Sequence, residues 1–179
     1  MGRLRTPVLL AGILTANILV LCGCSPPLPP EWYCEQGNAL AEQASRHEAV
    51  AQYSEAIRLN PEYTEAYINR GVTYFELGQL ELSIQDYSSA IRLNPLIVEA
   101  HYNRGYSYYK LGQLELSLRD FNEAIRLDPQ FAWAYANRAR VYTLFHKDAE
   151  AELDINRAIE LGCDSSILML EIEYLKQQR

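Results

Sequence analysis

The chain has 179 residues, a formal net charge of −7, thirteen tyrosines and four cysteines. Its length fits one domain plus an appendage, and its acidity leaves no basic face of the kind a general nucleic-acid binder needs. The cysteines and His47, His101 and His146 show no metal-ligand spacing, so neither a metal nor another cofactor is expected.

Arg3 and Arg5 precede an apolar run from Val8 to Leu21 that Thr15 and Asn17 alone interrupt, the layout of a secretory signal. Leu21-Cys22-Gly23-Cys24 resembles the bacterial lipoprotein box. That resemblance implies a signal peptide over residues 1–23, cleavage after Gly23, and lipid attachment, palmitate included, at Cys24. Cys22 departs from the box, which more usually has a small or β-branched residue there. Three alternatives stay open: an uncleaved anchor at the short end of spanning length, myristoylation read from Met1-Gly2 with Thr6, and a plain secretory signal, whose A-x-A-like site is absent. Ser25-Pro26-Pro27-Leu28-Pro29-Pro30 favours an extended spacer, roughly 20 Å long at about 3.1 Å per residue. Residues 24–30 thus form the linker from a lipidated cysteine. The expected location is the cell envelope, on a membrane, facing the periplasm or the exterior.

Beyond the linker the sequence repeats. Ala56-Ile57-Arg58-Leu59-Asn60-Pro61 returns after 34 residues as Ala90-Ile91-Arg92-Leu93-Asn94-Pro95 and again as Ala124-Ile125-Arg126-Leu127-Asp128-Pro129, with a degraded copy at Ala158-Ile159-Glu160-Leu161. A fixed period of this length marks stacked helical hairpins. The first hairpin is predicted as Glu31 to Ala44 and His47 to Leu59. In the second, Tyr67, Gly71 and Tyr74 make a stripe at helical spacing on Glu65 to Leu77. Gly78 supplies the left-handed residue after that helix. Glu81 to Leu93 follows, and Pro95 stops it. Residues 98–127 repeat this pattern; Ala132 to Phe145 and Asp148 to Leu161 form the fourth pair. Gly162 ends it, and Ser165 or Ser166 is expected to cap a last helix carrying Ile167, Leu170 and Tyr174 on one side. Repeat arrays need such an element over their final apolar face.

These residues resemble the tetratricopeptide repeat (TPR). The copy from Thr64 offers Tyr67, Gly71, Tyr74, Ser83, Tyr87, Ala90 and Pro95 at the pattern positions; that from Val98 offers His101, Gly105, Tyr108, Ser117, Phe121, Ala124 and Pro129. The copy from Pro30 has Tyr33, Gly37, Leu40, Ala49, Tyr53, Ala56 and Pro61. That from Ala132 keeps Tyr135, Ala139, Tyr142, Ala151 and Ala158 but has Cys163 in place of proline. The resemblance implies an all-α fold: a right-handed superhelical solenoid of four hairpins over residues 31–163 (copies 30–63, 64–97, 98–131 and 132–165), then a capping helix over 164–179. Fold alone assigns no partner.

No phosphate loop, H-E-x-x-H or nucleophile elbow occurs, so neither catalysis nor a small-molecule substrate is expected. The resemblance places the binding surface on the concave side, lined by the first helix of each hairpin. Asn69, Asn103 and Asn137 fall there one repeat apart, each able to donate and accept a hydrogen bond to a peptide backbone or to bond locally. Phe75, Tyr102, Tyr106, Tyr109 and Trp133 cluster mid-groove as interface anchors, with Arg140 beside them. Family members that clamp a peptide's terminal carboxylate need cations at the positions of Cys34, Glu99 and Asn103, which are absent here. The expected partner is a protein or peptide segment, captured by an adaptor held at a membrane through its N-terminal lipid or anchor. A self-assembling module is the other class kept open.

Overall fold

The structure, a computed structural model, describes residues 28–179. The expected signal segment and Cys24 lie outside them. Among the described residues the chain forms helices alone: Pro30–Glu42 (α1), Arg46–Leu59 (α2), Thr64–Glu76 (α3), Leu80–Leu93 (α4), Val98–Lys110 (α5), Leu114–Leu127 (α6), Ala132–Leu144 (α7), Asp148–Glu160 (α8) and Ser165–Gln178 (α9). They pair as hairpins α1–α2, α3–α4, α5–α6 and α7–α8, and the second helix of each hairpin packs on the first of the next. No helix among the described residues is long and apolar enough to cross a membrane.

Each hairpin turn closes the same way. The N–H of Gly78 bonds the carbonyl of Phe75 at 2.9 Å and that of Gln79 bonds Tyr74 at 2.9 Å, the paired closure that satisfies the last carbonyls of a helix. Gly78 and Gly112 reach it at φ 73° and 71°. In the outer repeats Ala44 and His146 take the same left-handed geometry, at φ 60° and 59°. The turn therefore persists without glycine, at a cost of about 1–2 kcal/mol per site. The second helices end at Asn60, Asn94 and Asp128, whose side chains accept the N–H two residues on, from Glu62, Leu96 and Gln130 at 3.0, 3.1 and 2.9 Å. The Asx turn and the following proline together end the helix.

Small residues bring the helices together. Ala66, Ala90, Ala100, Ala124 and Ala134 are fully buried, with Tyr87 and Phe121 filling the space beside them. A second, polar series runs through the same seam. Arg70 donates twice to Asp86, both at 2.8 Å, and once to Ser54 at 2.9 Å. Arg104 holds Asp120 at 2.7 and 2.8 Å and Ser88 at 3.0 Å, and Arg138 holds Asp154 at 2.7 Å and Asn122 at 2.6 Å. Each arginine ties its own hairpin to the one before. The first hairpin, with Gln36 and Gln52 at the matching places, lacks the pair.

The terminal helix corrects two expectations. Its N-cap is Asp164, whose carboxylate accepts from the N–H groups of Ser166 at 2.8 Å and Ile167 at 3.1 Å; a carboxylate at a helix start also meets the positive end of the dipole. The packed face is Leu168 and Ile172, while Ile167, Leu170 and Tyr174 are exposed. The helix lies chiefly against α7 rather than α8, so it leans toward the concave side. Two arginines pin it there. Arg140 bonds Glu171, and Arg179 bonds Asp148 at 2.6 and 2.8 Å and the carbonyl of Thr143 at 2.8 Å. The Arg179 hydrogen bond holds the Asp148 carboxyl below its usual range. A depressed carboxylate pKa stabilises the fold above the unfolded value and loses that contribution as pH falls through the folded one. Arg179→Ala is therefore expected to speed amide exchange in α9 at neutral pH while α3–α6 stay protected. The same difference between variant and parent should shrink as pH falls below the ordinary aspartate range toward the lowered value of the folded Asp148.

Candidate functional site: an aromatic and acidic groove

Helices α1, α3, α5 and α7 lie side by side and form one continuous face. On α5, Tyr102, Tyr106 and Tyr109 recur at three- and four-residue spacing, which sets them in a row. Tyr106 stacks on Tyr102 at 6.4 Å and on Tyr109 at 6.1 Å, and Phe75 of α3 leans on Tyr106 at 5.3 Å. Phe131 meets Tyr102 edge-on at 4.9 Å. Such pairs fix ring orientation beyond what area burial does.

Six of the sequence-predicted residues meet in a cavity of about 560 Å³: Tyr102, Tyr106, Tyr109, Trp133, Asn137 and Arg140. Trp133 is 57% exposed at its edge. Phe75 joins through Tyr106. The far wall comes from α9, through Leu170, Glu171, Tyr174 and Leu175, and Lys110 lies at 5.2 Å over the Tyr106 ring. The α9 residues are absent from the sequence reading of the groove. Ile167, Leu170 and Tyr174 were visible as a stripe, but nothing in the sequence said that this stripe turns toward α5.

The three asparagines are not equivalent. Asn137 is 2% exposed; its amide donates to the Tyr102 hydroxyl at 2.9 Å and the Trp133 carbonyl at 3.0 Å, and accepts from Arg140 at 2.6 Å. It braces the cavity floor. Asn69 donates to the Asn38 side chain at 3.0 Å, which also accepts from Tyr53 at 2.8 Å. Asn103 is half-buried and lies outside the lining of the aromatic cavity. The expected ladder of identical amides is thus a floor brace, an inter-repeat bond and a third, separate side chain. Arg140 is likewise occupied by Asn137 and Glu171. Burial, with Tyr106 next to it, pushes the Tyr102 phenol up to about 12; burial also raises Tyr109. Both stay neutral in the physiological range.

The other half of the groove has the opposite character. Between α1 and α3 a shallow cavity of about 540 Å³ is lined by Asn38, Glu42, Glu65, Asn69, Val72 and Glu76 among others. Glu76 pairs with Arg46 at 2.7 Å; Glu42 and Glu65 are exposed and have no ion-pair partner among the described residues. Among those residues no group of three or more His, Cys, Asp or Glu is placed to hold a metal. Cys34 and Cys163 are free thiols, and burial raises both.

Family profiles match this scaffold in overlapping blocks. The one described as TPR repeat covers residues 37–78 and 71–112, and the one described as tetratricopeptide repeat covers 98–131. The chain belongs to the tetratricopeptide repeat family. The TPR domain of Arabidopsis OM64 is 30% identical, with a TM-score of 0.61 over 63% of this chain and 93% of that one. The first TPR of Spaghetti (RPAP3), solved with the HSP90 peptide SRMEEVD, is 23% identical, with a TM-score of 0.64 over 65% and 93%. MamA from Desulfovibrio magneticus RS-1 is 22% identical, with a TM-score of 0.69 over 74% and 75%. No curated protein matches. The two likenesses below 25% identity concern the TPR fold alone.

Proposed function

We propose that this TPR chain is an adaptor that binds a segment of a partner protein in its concave groove, tethered to a membrane of the cell envelope through lipidated Cys24. The cavity between α5, α7 and α9 carries the reading: a roomy, aromatic-walled recess with exposed Trp133 at its mouth and a braced floor. Large aromatics in such recesses are the usual anchors of interfaces. The Spaghetti structure shows a repeat domain of this fold with a peptide bound. The tether rests on the sequence of residues 1–24.

Alanine at Tyr106 and Trp133 together is expected to abolish capture of the partner from solubilised membranes, with the helical circular dichroism signal unchanged. Loss of each anchor should weaken binding by about 2 kcal/mol or roughly thirtyfold. Unchanged capture removes the groove from the mechanism. Metabolic palmitate labelling of the parent and of Cys24→Ala tests the tether, with label expected in the parent alone. The self-assembly reading draws on exposed Leu153, Ile167 and Met169 near the C-terminal end; light scattering that shows a stable dimer would favour it.

A further inference from the structure

The groove is chemically divided along its length. At the α1–α3 end Glu42 and Glu65 stand exposed without cationic partners among the described residues. At the α5–α7 end lies the aromatic cavity, where Arg140 is already neutralised by Glu171 and Lys110 is the other cation. Across both cavities four lining residues are carboxylates and two are cationic. A segment rich in carboxylates would meet Glu42 and Glu65, neither of which has a cation paired to it among the described residues. A segment with lysine or arginine would find two exposed, unpaired carboxylates, an attraction that salt screens.

Spacing follows from the scaffold. Neighbouring packed helices sit roughly 8–10 Å apart. Going from α3 to α7 takes two such steps, roughly 16–20 Å. An extended chain covers that in about five or six residues.

We propose that the groove selects a segment of another protein in which basic residues and bulky apolar residues are separated by about five or six positions. The basic part lies over Glu42 and Glu65, and the apolar part fills the recess of Tyr102, Tyr106, Tyr109 and Trp133. The assignment rests on the groove reading above and adds the partner's charge and layout to it. It also sets this groove apart from one that receives the acidic peptide SRMEEVD of the Spaghetti structure.

Fluorescein-labelled peptides test it by anisotropy with the full chain. Three peptides share a Phe-Leu pair and a Gly-Ser spacer of about five residues and differ only in a Lys-Lys, Gln-Gln or Glu-Glu pair; each is made in both chain directions. The Lys-Lys peptide is expected to bind at least tenfold tighter than the Glu-Glu peptide at low salt, with the gap closing as salt screens it. Glu42→Lys with Glu65→Lys should invert the order, and Glu42→Gln with Glu65→Gln should flatten it. Both glutamates are exposed, and circular dichroism checks that the variants keep their helix. Equal binding of all three peptides, lost in Tyr106→Ala with Trp133→Ala, overturns the charge selection and leaves the groove standing. Binding by none of them overturns both.

Discussion

Replacing Arg104 with leucine is expected to lower the unfolding free energy by about 3–5 kcal/mol. The side chains of Arg104 and Asp120 are 13% and 2% exposed, and the fork of the guanidinium meets both carboxylate oxygens. Removing the cation alone leaves a buried carboxylate with no counter-charge, and it also frees Ser88 of the preceding hairpin. The cost thus falls on the seam between repeats as well as inside one. Deleting the carboxylate too, as Arg104→Leu with Asp120→Ala, should recover much of the loss, because no charge then remains in the seam. A coupling of about 2–3 kcal/mol between the two sites is the measure of that recovery. Arg126 makes a bidentate pair with Glu123 of equally short geometry, at 2.6 and 2.9 Å, but on open surface. Arg126→Ala should leave the urea midpoint where it was. If Arg104→Leu behaves like Arg126→Ala, the periodic Arg–Asp pairs do not hold the solenoid.

The contrast explains what the sequence could and could not say. The 34-residue period, Gly78 and the prolines after Asn60 and Asn94 report on one hairpin at a time, so helix number and helix ends were readable. Asn-Arg-Gly was readable as a repeated word but not as a device. Its arginine acts on residues sixteen positions away on either side, and that link exists only once hairpins are stacked. Ala44 and His146 show the reverse case. Their turns lack the glycine signal, yet the packing of both helices forces the same left-handed residue there. In the groove, the aromatic row followed from helical spacing on α5 and needed no tertiary knowledge. The wall from α9 did need it. Leu168, Ile172 and Leu170 are all large and apolar, and composition cannot tell which pair faces α7. That Leu170 is 72% exposed follows from how α9 leans, which the ion pairs of Arg140 and Arg179 fix. Asn69 and Asn137 are alike by register and differ by neighbour: one meets Asn38, the other Tyr102.

Gly71→Val is expected to cost about 3 kcal/mol, at the upper end for overpacking a core. A Cβ built on Gly71 would lie 2.8 Å from Cε1 of Tyr87 and 3.1 Å from two more ring atoms. Tyr87 is itself 1% exposed and cannot swing away. Gly37 against Tyr53 is tighter still, at 2.5 Å, and Gly105 against Phe121 is 3.1 Å. In the fourth hairpin the pair is Ala139 and Ile155, a methyl gained where a ring is lost. Volume is exchanged across the seam, and the glycine is there for the ring. Three repeats accept a helix-interior glycine, worth about 1 kcal/mol less than alanine, to seat an aromatic. The sign of Gly71→Ala should then depend on its partner. In the parent chain the added methyl meets the ring and destabilises. With Tyr87→Ile in place, which by itself opens a void and costs about 2–4 kcal/mol, the same methyl has room and should regain up to about 1 kcal/mol of helix propensity. Thermal unfolding of the four chains reads this as a change of sign in the Tm shift, of about 2–4 °C per kcal/mol at this size. Equal damage from Gly71→Ala in both backgrounds would mean that something other than the Tyr87 ring excludes the methyl.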